Sequence, residues 1–164
     1  MRRATLAAMG TAMLIAACGF QPVHRQGPNG DGAAMTASVR VQPIPERVGQ
    51  LVHRELSSRL RGGRSGDGTA YELAVDLEER IGETGFRADE TATRRNITVT
   101  ADYTLVDARS GETVLKGRAE STNSANILDQ PYATAVASRD ARQRGASDLA
   151  KKIFRDVASK LAAR

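Results

Sequence analysis

The 164 residues contain one cysteine, no tryptophan and two histidines. A lone thiol excludes an internal disulfide and any cysteine-based zinc site. His24 and His53 have no second histidine or cysteine at ligand spacing, so each reads as a solvated or edge side chain, and no metal is expected. Aromatic residues are only 4% of the chain, too few for a base-stacking platform, which argues against nucleic acid as a partner. There is no G-x-S-x-G nucleophile turn. The run Gly62-Gly63-Arg64-Ser65-Gly66 lacks the Lys-Ser/Thr of a phosphate loop and reads as a flexible connector. No catalytic constellation and no cofactor site emerge, so the sequence describes a protein that is not an enzyme.

Long apolar runs are also missing. Leu6 to Ala17 is an uncharged, mostly apolar run of twelve residues, whereas a spanning helix needs about twenty. It follows the basic Met1-Arg2-Arg3 and ends in Ile15-Ala16-Ala17-Cys18. That order is a signal peptide over residues 1–17, with small residues at its cut site. A cysteine directly after those small residues resembles the lipobox of bacterial lipoproteins. The resemblance implies that Cys18 becomes the mature N-terminus and is acylated with palmitate-type chains. One chain binds a membrane marginally, but two or three hold it essentially permanently at about 0.8 kcal/mol per buried CH₂. Gly19 stands where an inner-membrane lipoprotein commonly has Asp, which implies the outer membrane.

What is present reads as one small domain. Hydrophobic residues are 40% and charged residues 26%, with a formal net charge of +5. Without residues 1–17 the chain keeps 22 basic and 19 acidic residues, net +3. Residues 133–164 alone hold eight Lys/Arg against three Asp. Residues 18–36 are the candidate lipidated cysteine and a Gly/Pro-rich tether; 37–164 are the domain.

Within the domain, Ser38 to Gln42 alternates and is closed by Pro43 and Pro45, a short strand. Val48, Leu51, Val52, Leu56 and Leu60 lie on one face of a helix over 46–61, stopped by Gly62-Gly63. Tyr71, Leu73, Val75, Leu77 and Ile81 share one strand parity; Asp76, Glu78 and Glu79 read as solvated. Gly82 to Thr93 reads as a polar connector carrying Phe86-Arg87. Ile97 to Leu105 alternates again, Asp107 to Gly111 is a hairpin turn, and a further strand covers about Glu112 to Ser121. From Asp129-Gln130-Pro131 a helix runs to the end, with the stripe Leu149, Ala150, Ile153, Phe154, Val157, Ala158 and Leu161. Gly145 marks a kink or break, and Asp148/Lys152 and Asp156/Lys160 are expected i,i+4 pairs.

The order is β-α-β-β-β-α. Two helices cover one face of a four-stranded sheet, so the fold class is α+β, a two-layer sandwich. The other face carries Glu72, Asp76, Asn96, Thr98, Thr100, Asp102, Lys116 and Arg118 and meets water or a protein. Arg87, Arg94-Arg95, Lys116, Arg118 and the group Arg139/Arg142/Arg144 are the candidate phosphate-binding cations.

Cys18-Gly19-Phe20-Gln21-Pro22, together with that element order, resembles the lipopolysaccharide-assembly lipoproteins (LptE). The resemblance implies an outer-membrane lipoprotein on the periplasmic side that plugs and helps assemble the β-barrel LptD and helps deliver lipopolysaccharide to the cell surface. It further implies lipopolysaccharide contacts at Arg87, a basic residue after an aromatic in the connector, and at Arg139, a basic residue followed by Asp140. The alternative reading is an auxiliary lipoprotein of an ABC-type lipid-trafficking system.

Overall fold

The computed structural model describes residues 36, 38–61, 69–86 and 92–163. The expected signal peptide, Cys18, residues 19–35 of the expected tether and Arg87 lie outside the described residues. The elements are β1 (Val39–Val41), α1 (Glu46–Arg61), β2 (Tyr71–Phe86), β3 (Ala92–Asp107), β4 (Thr113–Asn126) and α2 (Pro131–Ala162). The sheet order is β1-β2-β3-β4, with β1 parallel to β2 and the remaining pairs antiparallel. The α+β sandwich read from the sequence is the observed architecture.

The alternating residues explain the layers. Tyr71, Leu73 and Val75 of β2 and Ile97, Val99, Ala101, Tyr103 and Leu105 of β3 are all buried. They pack with Val52, Leu56 and Leu60 of α1 and Leu149, Ile153, Val157 and Leu161 of α2. Each fully buried Leu, Ile or Val contributes about 1.5–3 kcal/mol. α2 lies over β3 and β4, and α1 packs against α2 and β1. Where β3 meets β4, Leu105 pairs with Leu115 and Val106 with Thr113, a register shift that leaves Val114 as the extra residue. The bulge turns Val114 into the core beside the partly buried Leu115.

The opposite face is a polar ladder. Thr98 Oγ1 lies 2.9 Å from Thr122 Oγ1, Ser124 donates to Asn96 at 2.7 Å, and Arg118 lies 3.6 Å from Asp102. Cross-strand pairs of this kind stabilise a wet face by a few tenths of a kcal/mol each.

Five sequence expectations are corrected. Gly82 to Thr93 is not a loop throughout: β2 continues to Phe86 and β3 begins at Ala92, because the backbone ladder continues where alternation of apolar residues has ended. For the same reason β4 runs on to Asn126. Glu79 is not on the solvated face; it shares the parity of Leu77 and reaches Arg142 of α2 at 2.8 Å. Gly145 does not end α2, which is one continuous helix of 32 residues; it is buried against Asn123 and Val99, with room there for a methyl group. The two i,i+4 pairs also do not form. Lys152 instead donates to the Glu120 carbonyl, Asp148 takes Lys151 at 3.1 Å, and Asp156 is engaged by Tyr103. Lys152 and Asp156 take tertiary partners from the sheet, and Asp148 takes a lysine three residues along the same helix.

Candidate functional site

The β2–β3 hairpin runs past the hydrophobic core. On its helix-side face Ile97 is the last buried residue of β3, and the next position outward is Arg95, bonded at 2.8 Å to Glu83 across the ladder. Gly85 takes a left-handed φ of 71° and its carbonyl accepts a bond from Thr93 Oγ1 at 2.6 Å. This position needs glycine, since side chains rarely adopt that backbone. The strand residues flanking segment 87–91, Phe86 and Ala92, are paired at this same end of the sheet.

α2 begins at this end too. Ile127 N–H donates to the Thr93 carbonyl at 3.0 Å, which ties the end of β4 to the hairpin. Pro131 occupies the first helical turn, where its missing N–H costs nothing. The cap residue Gln130 supplies no side-chain bond; Thr134 Oγ1 instead accepts from Leu128 N–H at 2.9 Å. The residues α2 turns inward here are small: Ala137, Ser138, Ala141 and Gly145. Ser138 Oγ is buried without a hydrogen-bond partner.

That close approach leaves larger side chains outside. Among the described residues, the exposed large hydrophobics are Ile81 (50%), Leu128 (48%), Tyr132 (82%) and Val136 (43%). All four belong to this end of the sheet and the first turns of α2; among the described residues no other large apolar group is so exposed. Charge is uneven here as well. Arg95, Arg142 and Arg144 are neutralised by Glu83, Glu79 and Asp140. Arg94 and Arg139 are exposed and make no hydrogen bond or ion pair among the described residues. An open cleft of about 490 Å³ lies between Arg94, Thr93, Gly85 and Leu128.

The candidates named from sequence therefore fall as follows. Arg139 is exposed on α2, beside Tyr132 and Val136 in helical spacing. Lys116 and Arg118 lie on the polar sheet face, away from this end, and Arg118 is paired with Asp102. Cys18 and Arg87 lie outside the described residues. The sequence reading missed Leu128, Tyr132 and Val136. The i,i+4 spacing of Tyr132 and Val136, on a face not shared with the core stripe, was the available signal. Ile81 has core parity but sits beyond the last core layer.

Elsewhere the polar groups hold the fold together. Tyr103 Oη donates to Asp156 Oδ2 at 2.5 Å, and burial, with this carboxylate beside it, pushes the phenol pKa well above its ordinary value. Among the described residues no group of three His, Cys, Asp or Glu could hold a metal, and no helix is long and apolar enough to cross a membrane.

The lipopolysaccharide-assembly family, LptE, matches residues 36–161. No protein of curated function matches the chain. Among solved structures it is similar to a lipoprotein of Caulobacter crescentus CB15, with 29% identity, a TM-score of 0.70, 84% of this chain and 100% of that one covered. A minor lipoprotein of Acinetobacter baumannii is 16% identical, with a TM-score of 0.57 over 74% of this chain and 88% of that one. The rare lipoprotein B of Shewanella oneidensis is 10% identical, with a TM-score of 0.58 over 76% and 95%. These last two share the fold. The family match spans the whole sandwich, from before β1 to the last turn of α2. The chain belongs to the LptE lipopolysaccharide-assembly family.

Proposed function

We propose that this protein is an outer-membrane lipoprotein, anchored on the periplasmic side through acylated Cys18, that plugs and assists assembly of an LptD β-barrel and helps pass lipopolysaccharide to the surface. It acts by contact and not by catalysis. The observation that carries this reading is the juxtaposition, at one end of the sandwich, of exposed Ile81, Leu128, Tyr132 and Val136 with unneutralised Arg94 and Arg139. Apolar groups beside free guanidinium groups suit a phosphorylated amphiphile, since Arg binds phosphate as a planar fork. Arg87 and Arg139 are the residues proposed to meet lipopolysaccharide. The polar sheet face suits the water-lined interior of a barrel. A lipid tether raises the effective concentration of the domain beside a membrane partner.

The test is affinity purification of the tagged full chain from detergent-solubilised outer membranes. Co-purification of a large β-barrel in stable stoichiometry is expected. Recovery of a permease or substrate-binding subunit instead, with no barrel, would overturn the reading.

A further inference from the structure

Many charged side chains of this surface are matched one to one. Arg80, Arg95, Arg118, Arg142 and Arg144 each have a carboxylate of their own. The balance fails where the last turn of α1 meets the second half of α2. An open cleft of about 560 Å³ there is lined by Arg59 of α1 and by Lys151, Lys152 and Arg155 of α2, with Asp148 as its one carboxylate. Asp148, Lys151, Lys152 and Arg155 are spaced i, i+3, i+4 and i+7, so they share one face of α2. Leu149, Ile153 and Val157 take another face into the core.

The donors of this cleft are not used up. Arg59 Nη2 lies 3.5 Å from Glu55, longer than a charge-assisted bond of about 2.7–2.9 Å. Its Nε–H is buried with no acceptor. A buried donor without an acceptor is costly, and more so on a charged group. Lys151 gives one bond, at 3.1 Å, to Asp148, and an ammonium has three to give. Lys152 holds the Glu120 carbonyl, a neutral partner that leaves its charge uncompensated. Arg155 is exposed and makes no hydrogen bond or ion pair among the described residues. Phe154, packed against the core, is an apolar wall of the same cleft. It thins the water around these charges and so strengthens their pull on an anion.

We propose that this cleft between α1 and α2 binds a phosphate group, as the free anion or as the headgroup of an anionic phospholipid. The surplus of positive charge calls for an anion, and the kind of donor selects which one. A carboxylate offers two oxygens in one plane. A phosphate carries four around a tetrahedron, so it can take bonds from Arg59, Arg155 and Lys151 together. Arg supplies a planar fork and Lys a point charge, and both are suited to phosphate. The site stands apart from Arg87 and Arg139. The proposal goes beyond the function given above and does not rest on it.

The experiment is titration of the full chain in a neutral detergent, followed by NMR of the arginine Nε–H signals. Sodium phosphate is added in one arm and dihexanoyl phosphatidylglycerol in the other, with sodium chloride at matched ionic strength as the blank. A saturable shift of the Arg59 and Arg155 signals is expected. Arg155→Glu and Lys151→Glu should each raise the dissociation constant about tenfold or more with a native far-UV spectrum. Arg80→Glu, on the polar sheet face, should leave it unchanged. A response to phosphate supports the proposal with the free anion as ligand; a response to the lipid alone supports it with a headgroup as ligand. No saturable shift in either arm would overturn it, as would a shift that survives both reversals. A Glu-rich peptide that binds the cleft more tightly than phosphate and lipid would overturn it in favour of an acidic protein partner.

Discussion

The Tyr103 hydroxyl on β3 donates a 2.5 Å hydrogen bond to the Asp156 carboxylate on α2, fastening the helix layer to the sheet at a partly buried point. Because burial and the neighbouring carboxylate hold the folded phenol protonated, its pKa in the fold lies far above the ordinary value of about 10. The unfolded chain releases this proton first. The phenol's contribution is therefore complete below about pH 10 and is lost as the pH rises above it. Urea titrations from pH 8 to pH 11 should show stability falling, with a shallower fall in Tyr103→Phe. Equal slopes for both proteins would remove Tyr103 as the cause.

Two glycines should respond oppositely to alanine. A Cβ at Gly117 would stand 2.4 Å from the ring and hydroxyl of Tyr103, so Gly117→Ala must displace that ring. A loss of about 1–3 kcal/mol is expected. A Cβ at Gly145 meets Asn123 at 3.4 Å and Val99 at 4.0 Å, which is ordinary contact. Gly145→Ala should therefore be neutral or gain up to about 1 kcal/mol from helix propensity. Thermal melts of both variants check the pair of signs.

The ion pair between Glu79 and Arg142 joins β2 to α2 with both side chains largely shielded from water. Arg142→Ala leaves a half-buried carboxylate without its partner. The cost should be about 1–2 kcal/mol, more than an exposed pair and less than a fully buried one. A double-mutant cycle with Glu79→Gln measures the coupling; a value indistinguishable from zero would show that water solvates both groups.

At the far end of the sandwich, Tyr132→Asp, Val136→Asp and Arg139→Glu replace exposed side chains. Each should change stability by no more than about 0.5 kcal/mol. Arg139→Glu and Arg87→Glu should weaken binding of purified lipopolysaccharide, and Tyr132→Asp should reduce recovery of the barrel partner. Unchanged binding and recovery with native melts would move the functional surface elsewhere.

Cys18→Ser should leave the domain folded and release it from the membrane fraction. Acyl chains detected by mass spectrometry on the unaltered chain, and absent from the variant, verify the anchor.

Residue order determined much of this protein. Strict alternation in Tyr71–Val75 and Ile97–Leu105, the 3.6-residue stripe from Leu149 to Leu161, and the turn at Asp107–Gly111 are local patterns with one structural meaning each, so the elements and the two-layer class were legible. Other features were decided only in three dimensions. The hairpin extends through polar residues because strands are held by backbone bonds to neighbours that sequence does not display. Lys152 and Asp156 take partners 32 and 53 residues away over those one turn along, and Glu79, read as solvated, pairs with Arg142, 63 residues away. Which apolar side chains gather at one end depends on where α2 crosses the sheet. A one-dimensional pattern fixes which side of an element is greasy; it does not fix what lies across from it.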